Sequence, residues 1–442
     1  MSLFGRSKPG KKTARTVQSA RQREIPSSQA KLGMRIVALD RPWDEVPVLF
    51  QNFVVENVEQ LEILRSYCQM VTVEETGGLL QSGESGAFRP PLPEPERPTL
   101  TELKPLSDEL ANARKQYGRA SIYMDDLLGK VSRGESFSVE GAREVVRNCI
   151  NSIANNPNAM FWLTRIRHQD AYTAEHCVRV GILAITFGRY LGMAGPELET
   201  LGLCGMLHDV GKMRIPPAVL NKPGALDPEE WRIMRQHSRF GFELLGSGHK
   251  LEPEVLAATL SHHERLDGKG YPEGLVASHI SQPTRIITIV DAYDAMTSDR
   301  AYRKGIPSAE AMSVLYRNRG PQFDAELVEA FIRMIGIYPA GSLVELNSGE
   351  IAIVLAASPC QKLSPVVELV LDASGHLCEP RVLNLSQGPS TTDGQAYAIS
   401  RALPDGVEGF DLAEHIRRQA ALDSSPDTSA PAGQDTIPPA PR

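Results

Sequence analysis

Histidine and carboxylate side chains at the ends of apolar helical stretches are the residues of this sequence best suited to chemistry. Residues 201–207 are largely apolar and are followed directly by His208 and Asp209, with Gly211 and Lys212 next. Neighbouring residues of a helix lie about 100° apart, so both side chains can border one cavity. An isolated His-Asp pair is more often a histidine satisfied within the core. The rest of the chain decides between these two interpretations.

Four further segments supply ligands of the same two types, each beside an apolar helical stretch. With His208 they hold five of the ten histidines, and they contain His176, His237, His262, His263 and Asp291. Burying several imidazoles and carboxylates without partners is costly, so a shared metal cluster explains their placement. Nitrogen and oxygen donors without thiolate suit borderline cations such as iron, manganese, zinc or nickel.

The order of these motifs carries a family resemblance. After His176 come HDVGK at 208–212, His237, HHERLDGKGYP at 262–272 and DAYDAMTSDRAYR at 291–303. Over about residues 165–335 this series resembles the HD-GYP family of bacterial cyclic di-GMP phosphodiesterases. The resemblance implies a helical-bundle HD-type catalytic domain that hydrolyses cyclic di-GMP to linear pGpG, and more slowly to GMP.

The resemblance also implies roles for the matching residues. Asp209 would bridge two divalent ions, about 3.5–4 Å apart, that activate a water molecule. The terminal metal ligands would be His176, His208, His237, His262, His263 and Asp291. Metal-bound imidazoles need partners that orient them, and Glu264 and Asp294 are the candidates for that role.

Cationic residues would receive the anionic substrate. Lys212 lies one helical turn beyond His208 and matches the family lysine that meets the scissile phosphate, which makes it a catalytic candidate beside Asp209. Arg300 and Arg303 are candidates for phosphate contact, because guanidinium binds phosphate oxygens in a bidentate manner. Surface ion pairs are the alternative for both arginines.

The segment Gly270, Tyr271 and Pro272 belongs to a tight turn, in which Gly268 and Gly270 permit positive φ. The family attributes to this loop a part in shaping the substrate site and in contacting diguanylate cyclase domains. Both roles are expectations from the resemblance.

The number of metal ions is predicted from one position at which this chain differs from some members of the family. Some relatives carry a glutamate four residues before the first histidine, where it supplies a ligand for a third cation, but this chain has Tyr172. A phenol with a pKa of about 10 is a poor replacement for a carboxylate. We therefore expect two divalent ions per chain, iron or manganese, and accumulation of pGpG before GMP.

Two other functions remain open at this stage. One is a non-catalytic receptor for the cyclic dinucleotide, which is disfavoured because the HD, HHE and distal aspartate residues are all present. The other is a phosphohydrolase of another nucleotide, which the intact GYP motif disfavours.

Composition restricts the partners and the compartment. The 442-residue chain has a net charge of −7, which argues against a nucleic-acid-binding protein. No apolar run reaches the roughly 18 residues of a membrane span, and no apolar segment marks the N-terminus as a signal peptide. The six cysteines form no CxxC pair, so reduced thiols and a cytoplasmic location are expected.

The chain is predicted to be mainly α, with a small α+β N-terminal domain and a small β-rich C-terminal appendage. The predicted segments are a disordered basic arm (1–24), the α+β domain (25–83), a proline-rich linker (84–106), connector helices (107–164), the HD-GYP domain (165–335), the β appendage (336–403) and a helix with a disordered tail (404–442). The connector helices could pair two chains as a homodimer or could simply cover the catalytic bundle.

Overall fold

The fold is seen in a computed structural model that describes residues 21–41, 46, 53–55, 58–75, 103–164, 172–247, 250–298, 305–356, 363–391, 393–403, 406–407 and 410–411. The chain divides into two units, Met1–Pro90 and Pro91–Arg442. Among the described helices, none has the length and apolar character needed to cross a membrane.

The N-terminal unit is a four-stranded antiparallel sheet with one helix. Its elements are β1 (Arg21–Pro26), β2 (Arg35–Leu39), β3 (Phe53–Val54), α1 (Val58–Tyr67) and β4 (Met70–Glu75), and the strand order is β1-β4-β2-β3. Buried apolar residues such as Ile36, Leu64 and Val71 form its core. The predicted α+β character of this unit is confirmed.

One boundary of this unit differs from the sequence prediction. Residues 21–24, assigned to a disordered arm, belong to β1, which pairs along its whole length with β4. Strand pairing uses backbone groups, and charged side chains are common on edge strands because they face solvent. The basic composition therefore did not exclude a strand here.

The second unit begins with a helical bundle. Its helices are α2 (Leu106–Ser132), α3 (Val139–Asn155), α4 (Pro157–Leu163), α5 (Tyr172–Tyr190), α6 (Gly195–Leu207), α7 (Pro217–Leu220), α8 (Pro228–Met234), α9 (His237–Gly246), α10 (Pro253–Ser261), α11 (Gln282–Thr297), α12 (Ser308–Arg317) and α13 (Ala325–Ile335). The expected helical bundle is confirmed.

Local sequence explains where several helices begin and which face they bury. The Ser138 side chain accepts a hydrogen bond from the Gly141 N–H at the start of α3, as an N-cap residue does. Residues Ala142, Val146 and Cys149 follow at helical spacing and are buried. Helix α5 is buried over most of its length and packs against α6, α11 and α2, so it forms the centre of the bundle.

The C-terminal part is a five-stranded antiparallel sheet, which confirms the predicted β-rich character of this segment. Its strands are β5 (Leu343–Leu346), β6 (Ile351–Ala356), β7 (Val366–Leu371), β8 (Leu377–Asn384) and β9 (Ile399–Leu403), in the order β8-β7-β6-β5-β9. The short strands β10 (Gly406–Val407) and β11 (Phe410–Asp411) pair with each other. The other predicted segment boundaries stay predictions, and most of the predicted linker and tail lies outside the described residues.

Candidate metal centre

The predicted metal ligands converge because helix ends meet at one place in the bundle. Helix α6 ends just before His208 and Asp209, and α10 ends just before His262 and His263. Helix α9 begins at His237. Helix α5 carries His176 near its start, and α11 carries Asp291 in its C-terminal half. Apart from the partly exposed His263 and Asp291, all are buried.

The two carboxylate oxygens of Asp209 face two different groups of imidazole nitrogens. Its Oδ1 lies 3.3 Å from His237 Nε2 and 3.7 Å from His262 Nε2. Its Oδ2 lies 3.3 Å from His208 Nε2 and 3.4 Å from His176 Nε2. His263 joins the Oδ1 group, whose ligand atoms all lie within 4.8 Å of one another. The described residues thus form two donor groups that share one carboxylate.

Asp291 completes the group on the Oδ2 side. Its Oδ1 lies 3.1 Å from His176 Nε2 and 3.8 Å from His208 Nε2. The two imidazoles therefore have a carboxylate on each side, one from Asp209 and one from Asp291. Two anionic carboxylates beside two imidazoles are a donor set for a divalent cation.

Hydrogen bonds on the outer side of the imidazoles set their tautomers. A backbone carbonyl can only accept, so a ring nitrogen that bonds to one must carry the proton. The acceptors of the Nδ1 protons are Gly205 O at 2.7 Å for His208, Met234 O at 2.7 Å for His237 and Thr259 O at 3.0 Å for His262. In the neutral rings the Nε2 lone pair then points into the centre, which is the form that binds a metal.

Buried atoms without partners provide an independent test of a metal site. Within the described part of the chain, His208 Nε2 and Asp209 Oδ1 are buried and have no hydrogen-bond partner. Leaving such atoms unpaired is costly, and a cation between the donor groups would satisfy both. The residues therefore fit divalent metal ions.

The protonation states of most ligands also suit metal binding. Burial raises the pKa of Asp209, but the charge of Lys212 and the neighbouring imidazoles outweigh it and hold that pKa well below its usual range. Burial lowers the pKa of His237 to about 3 and lowers that of His263 well below its usual value. At neutral pH the carboxylate is charged and these two imidazoles are neutral, as metal ligands must be.

His176 has a different environment because three carboxylates surround it. Burial lowers its pKa, but hydrogen bonds to Asp209, Asp291 and Asp294 outweigh burial and raise it well above the usual value. The same imidazole is thus in an environment that favours a positive charge. A bound cation would meet the same electrostatic demand.

A buried arginine and carboxylate hold His176 from behind. Asp294 Oδ2 lies 2.7 Å from His176 Nδ1, and Arg179 donates to the two Asp294 oxygens at 2.8 and 3.0 Å. Asp294 was predicted for this role from the sequence, whereas Arg179 was not. The signal was present, because Arg179 follows His176 by three residues and residues at that spacing share one face of a helix.

Glu264 was predicted from the sequence to orient a ligand imidazole, but it has another role in the structure. Its buried carboxylate instead accepts backbone N–H groups of Glu273, Gly274 and Leu275 at 2.7–3.0 Å. The reason is that the chain turns back after Pro272 and directs three N–H groups at this one side chain. Glu264 therefore holds the GYP loop rather than a ligand.

The GYP loop lies against the metal centre. The Tyr271 ring packs on the metal-ligand candidate His263, with 4.7 Å between ring centroids and 30° between planes. A Cβ on Gly270 would lie 2.4 Å from Glu264 Cα, so close approach requires glycine there. Gly268 has the predicted positive φ of 75°, whereas Gly270 is needed for space, and the prediction of positive φ at Gly270 was wrong.

The cationic candidates have different outcomes. Lys212 pairs with Asp209 Oδ2 and lies in the 3₁₀ turn Val210–Arg214 at the centre. The adjacent Gly211 is needed for close packing, because a Cβ there would lie 1.9 Å from the His237 carbonyl oxygen. Arg300 and Arg303 lie outside the described residues, so their phosphate contacts stay predictions.

Comparisons with known proteins match both units. The HD domain family matches residues 147–327, and a domain of unknown function, DUF3391, matches residues 22–142. The cyclic di-GMP phosphodiesterase PA4108 of Pseudomonas aeruginosa is 32% identical over 398 residues, which cover 89% of this chain and 92% of that protein.

Two further relatives match a shorter part of the chain. The cyclic di-GMP phosphodiesterase response regulator RpfG of Xanthomonas campestris is 37% identical over 38% of this chain and 45% of its own length. The 3′3′-cGAMP-specific phosphodiesterase 3 of Vibrio cholerae is 35% identical over 38% of this chain and 36% of its own length. The match to the Pseudomonas protein extends over nearly the whole of both chains, and the predicted HD and GYP motifs lie at one site. The chain therefore belongs to the HD-GYP family of HD domain proteins.

Proposed function

We propose that this protein is a phosphodiesterase that hydrolyses cyclic di-GMP to linear pGpG, and more slowly to GMP, with two divalent cations per chain. The observation that carries the proposal is Asp209, whose two oxygens face two separate groups of imidazole nitrogens at 3.3–3.7 Å. Relatives named as cyclic di-GMP phosphodiesterases support the choice of substrate.

The residues assigned to the cations follow from the two donor groups. Asp209 would contact both ions; His237, His262 and His263 would hold one, and His176, His208 and Asp291 the other. Bound divalent ions of this kind activate water and stabilise negative charge in an in-line displacement at phosphorus. We propose iron or manganese, which suit nitrogen and oxygen donors.

The chain itself contributes a positive charge beside the site and a fixed orientation of one ligand. Lys212 places an ammonium beside Asp209, where it can meet a phosphate oxygen of the substrate. Arg179 and Asp294 hold the imidazole of His176 in one orientation. In the reaction one water molecule is consumed: its oxygen bonds to phosphorus, the bond from phosphorus to the 3′ oxygen breaks, and that oxygen takes up a proton.

The number of ions rests on the residue at position 172. Helix α5 begins at Tyr172, one turn before His176, and this position has no carboxylate to offer a third cation. With two ions, fewer charges hold the terminal phosphate of the linear product. We therefore expect pGpG to accumulate before GMP appears.

Location and partners complete the proposal. The described cysteines are free thiols, which supports the predicted cytoplasmic location. Contact of the GYP loop with diguanylate cyclase domains, and homodimers formed through the connector helices, stay predictions without a structural test.

A metal-dependent activity assay tests the proposal. Purified protein is loaded with Mn²⁺, or with Fe²⁺ under anaerobic conditions, and given cyclic di-GMP, 3′3′-cGAMP and cyclic di-AMP in separate time courses. The expected result is turnover of cyclic di-GMP that a chelator abolishes, two ions per active chain by metal analysis, and a pGpG lag. Tight binding without turnover under every metal would favour a receptor, and preference for an unrelated nucleotide would favour another phosphohydrolase.

A further inference from the structure

Three side chains at the rim of the metal centre form an aromatic and cationic cluster that the proposed function does not use. The guanidinium of Arg235 lies 5.1 Å from the ring centroid of Tyr271 and 5.9 Å from that of Trp231. The Trp231 side chain is large and apolar, yet 46% of the surface of this residue is exposed. We call Trp231, Arg235 and Tyr271 the rim cluster.

The rim cluster is joined to the metal centre through one ring. Tyr271 contacts Arg235 on one side and packs on the metal-ligand candidate His263 on the other, at 4.7 Å between centroids. Arg235 also precedes the metal-ligand candidate His237 by two residues. A substrate whose phosphate lies among the ligands therefore extends its attached groups toward this cluster.

Arg235 is available to a ligand in a way that its neighbours are not. Arg232 pairs with Glu229 at 2.6 Å, and Arg239 lies 3.4 Å from Glu273. For Arg235, the described part of the chain provides ring contacts but no carboxylate within salt-bridge distance. Its aromatic neighbours lie against the guanidinium, and the N–H donors at its edge can meet a ligand.

We propose that the rim cluster binds a guanine base of the substrate, an inference that rests on the proposed function. A guanidinium presents two parallel donors that match the O6 and N7 acceptors of guanine. Adenine presents an amino donor in place of O6, so the same edge disfavours it. The exposed ring of Trp231 supplies a stacking surface for either purine.

The position of Arg235 favours a base over a phosphate as its ligand. Two ring spacings, from His263 to Tyr271 and from Tyr271 to Arg235, separate the guanidinium from the ligand atoms. The scissile phosphate belongs beside Lys212 and the donor groups, and a base of the same nucleotide is the part that reaches further out. Arg235 thus selects the base, whereas Lys212 receives the phosphate.

Equilibrium binding separates this inference from catalysis. Hydrolysis-resistant phosphorothioate analogues of cyclic di-GMP and cyclic di-AMP are titrated into the metal-loaded full-length protein by calorimetry. The variants are Arg235→Lys, Arg235→Gln and Trp231→Leu, with Arg232→Gln as the matched control one helical turn away. Hydrolysis of bis(p-nitrophenyl) phosphate, which carries no base, reports whether the metal centre is intact.

Arg235→Gln should bind the guanine analogue about 10- to 100-fold more weakly without weakening the adenine analogue, because a glutamine amide matches the adenine edge and not the guanine edge. Arg235→Lys loses the planar pair of donors, so it should also bind the guanine analogue more weakly. Trp231→Leu should weaken both analogues, since stacking does not distinguish the purines. Arg232→Gln should bind as the wild type does, and all variants should retain hydrolysis of the base-free diester.

The remaining outcomes assign any failure to one proposal. If Arg235→Gln binds the guanine analogue as tightly as the wild type, Arg235 does not contact the guanine edge and the inference is wrong. Equal weakening of both analogues, or no binding to the wild type, also overturns it. If guanine binding depends on Arg235 but no metal supports cleavage of a cyclic dinucleotide, the inference stands and the proposed function fails.

Discussion

Asp294→Asn is the substitution that best separates support of a metal ligand from ligation itself. The carboxylate accepts from His176 Nδ1 at 2.7 Å and from Arg179 Nε and Nη2 at 2.8 and 3.0 Å. Asparagine has the same size but only one acceptor oxygen. Its amino group replaces an oxygen that accepts from Arg179 in either orientation, so two donors would oppose each other. If the amino group takes the place of Oδ2, the imidazole of His176 would also have to move its proton to Nε2.

The magnitude follows from that choice. A proton on Nε2 removes the lone pair that faces Asp209 and Asp291, so metal affinity should fall. Loss of an orienting partner of a metal-bound histidine typically costs about 10- to 100-fold in affinity, or about 1.4–2.8 kcal/mol. Unfolding free energy should fall by about 3 kcal/mol, near the lower end for a broken buried ion pair, because Glu175 still lies 3.6 Å from Arg179.

Metal titration against a competing chelator measures the affinity, and thermal unfolding of the metal-free protein measures the stability. Asp372→Asn is the control, because that carboxylate accepts backbone N–H groups in the turn before β8 and has the exposed His376, at 3.8 Å, as its ion-pair partner instead of a metal ligand. At saturating metal, Asp294→Asn should recover most of its turnover, since no direct ligand is lost. Wild-type metal affinity in a folded Asp294→Asn protein would refute the reasoning.

Three other predictions follow from the same contacts. Asp209→Asn should lose at least one of the two cations and at least about 100-fold in turnover with an unchanged circular dichroism spectrum, because one carboxylate serves both donor groups; unchanged metal content and turnover would exclude the bridging role. Glu264→Gln should keep the cations but raise KM, since the buried charged acceptor of three loop N–H groups contributes about 1–3 kcal/mol, and a wild-type KM would argue against loop positioning. Deletion of residues 1–102 should leave hydrolysis measurable and change its rate or the oligomeric state. The deletion ends at residue 102 because the N–H groups of Leu103 and Lys104 donate to the carbonyl oxygen of Asn155. A truncated protein equal to the full chain in both respects would exclude a regulatory N-terminal unit.

Local patterns in the sequence were enough to predict the classes of structure and the types of ligand. Alternating or continuous apolar runs predicted a β-rich C-terminal appendage, and helical spacing of apolar residues predicted the bundle. These patterns reflect backbone geometry over a few residues, so no distant contact is needed to interpret them. The HD and HHE motifs likewise named His208, Asp209, His262 and His263 as residues for one centre.

Contacts between distant segments decided how those residues act. Asp294 and His176 are 118 positions apart, and only folding brings Arg179 into the same hydrogen-bonded set. The partners of Glu264 are nearby in sequence, yet the turn that directs three N–H groups at its carboxylate is a three-dimensional feature. Composition and spacing state which donors are present, but the direction of a lone pair depends on the group that packs behind it. For that physical reason, the bridging role of Asp209 could be expected from the sequence, but which imidazoles face each of its oxygens was visible only in the tertiary structure.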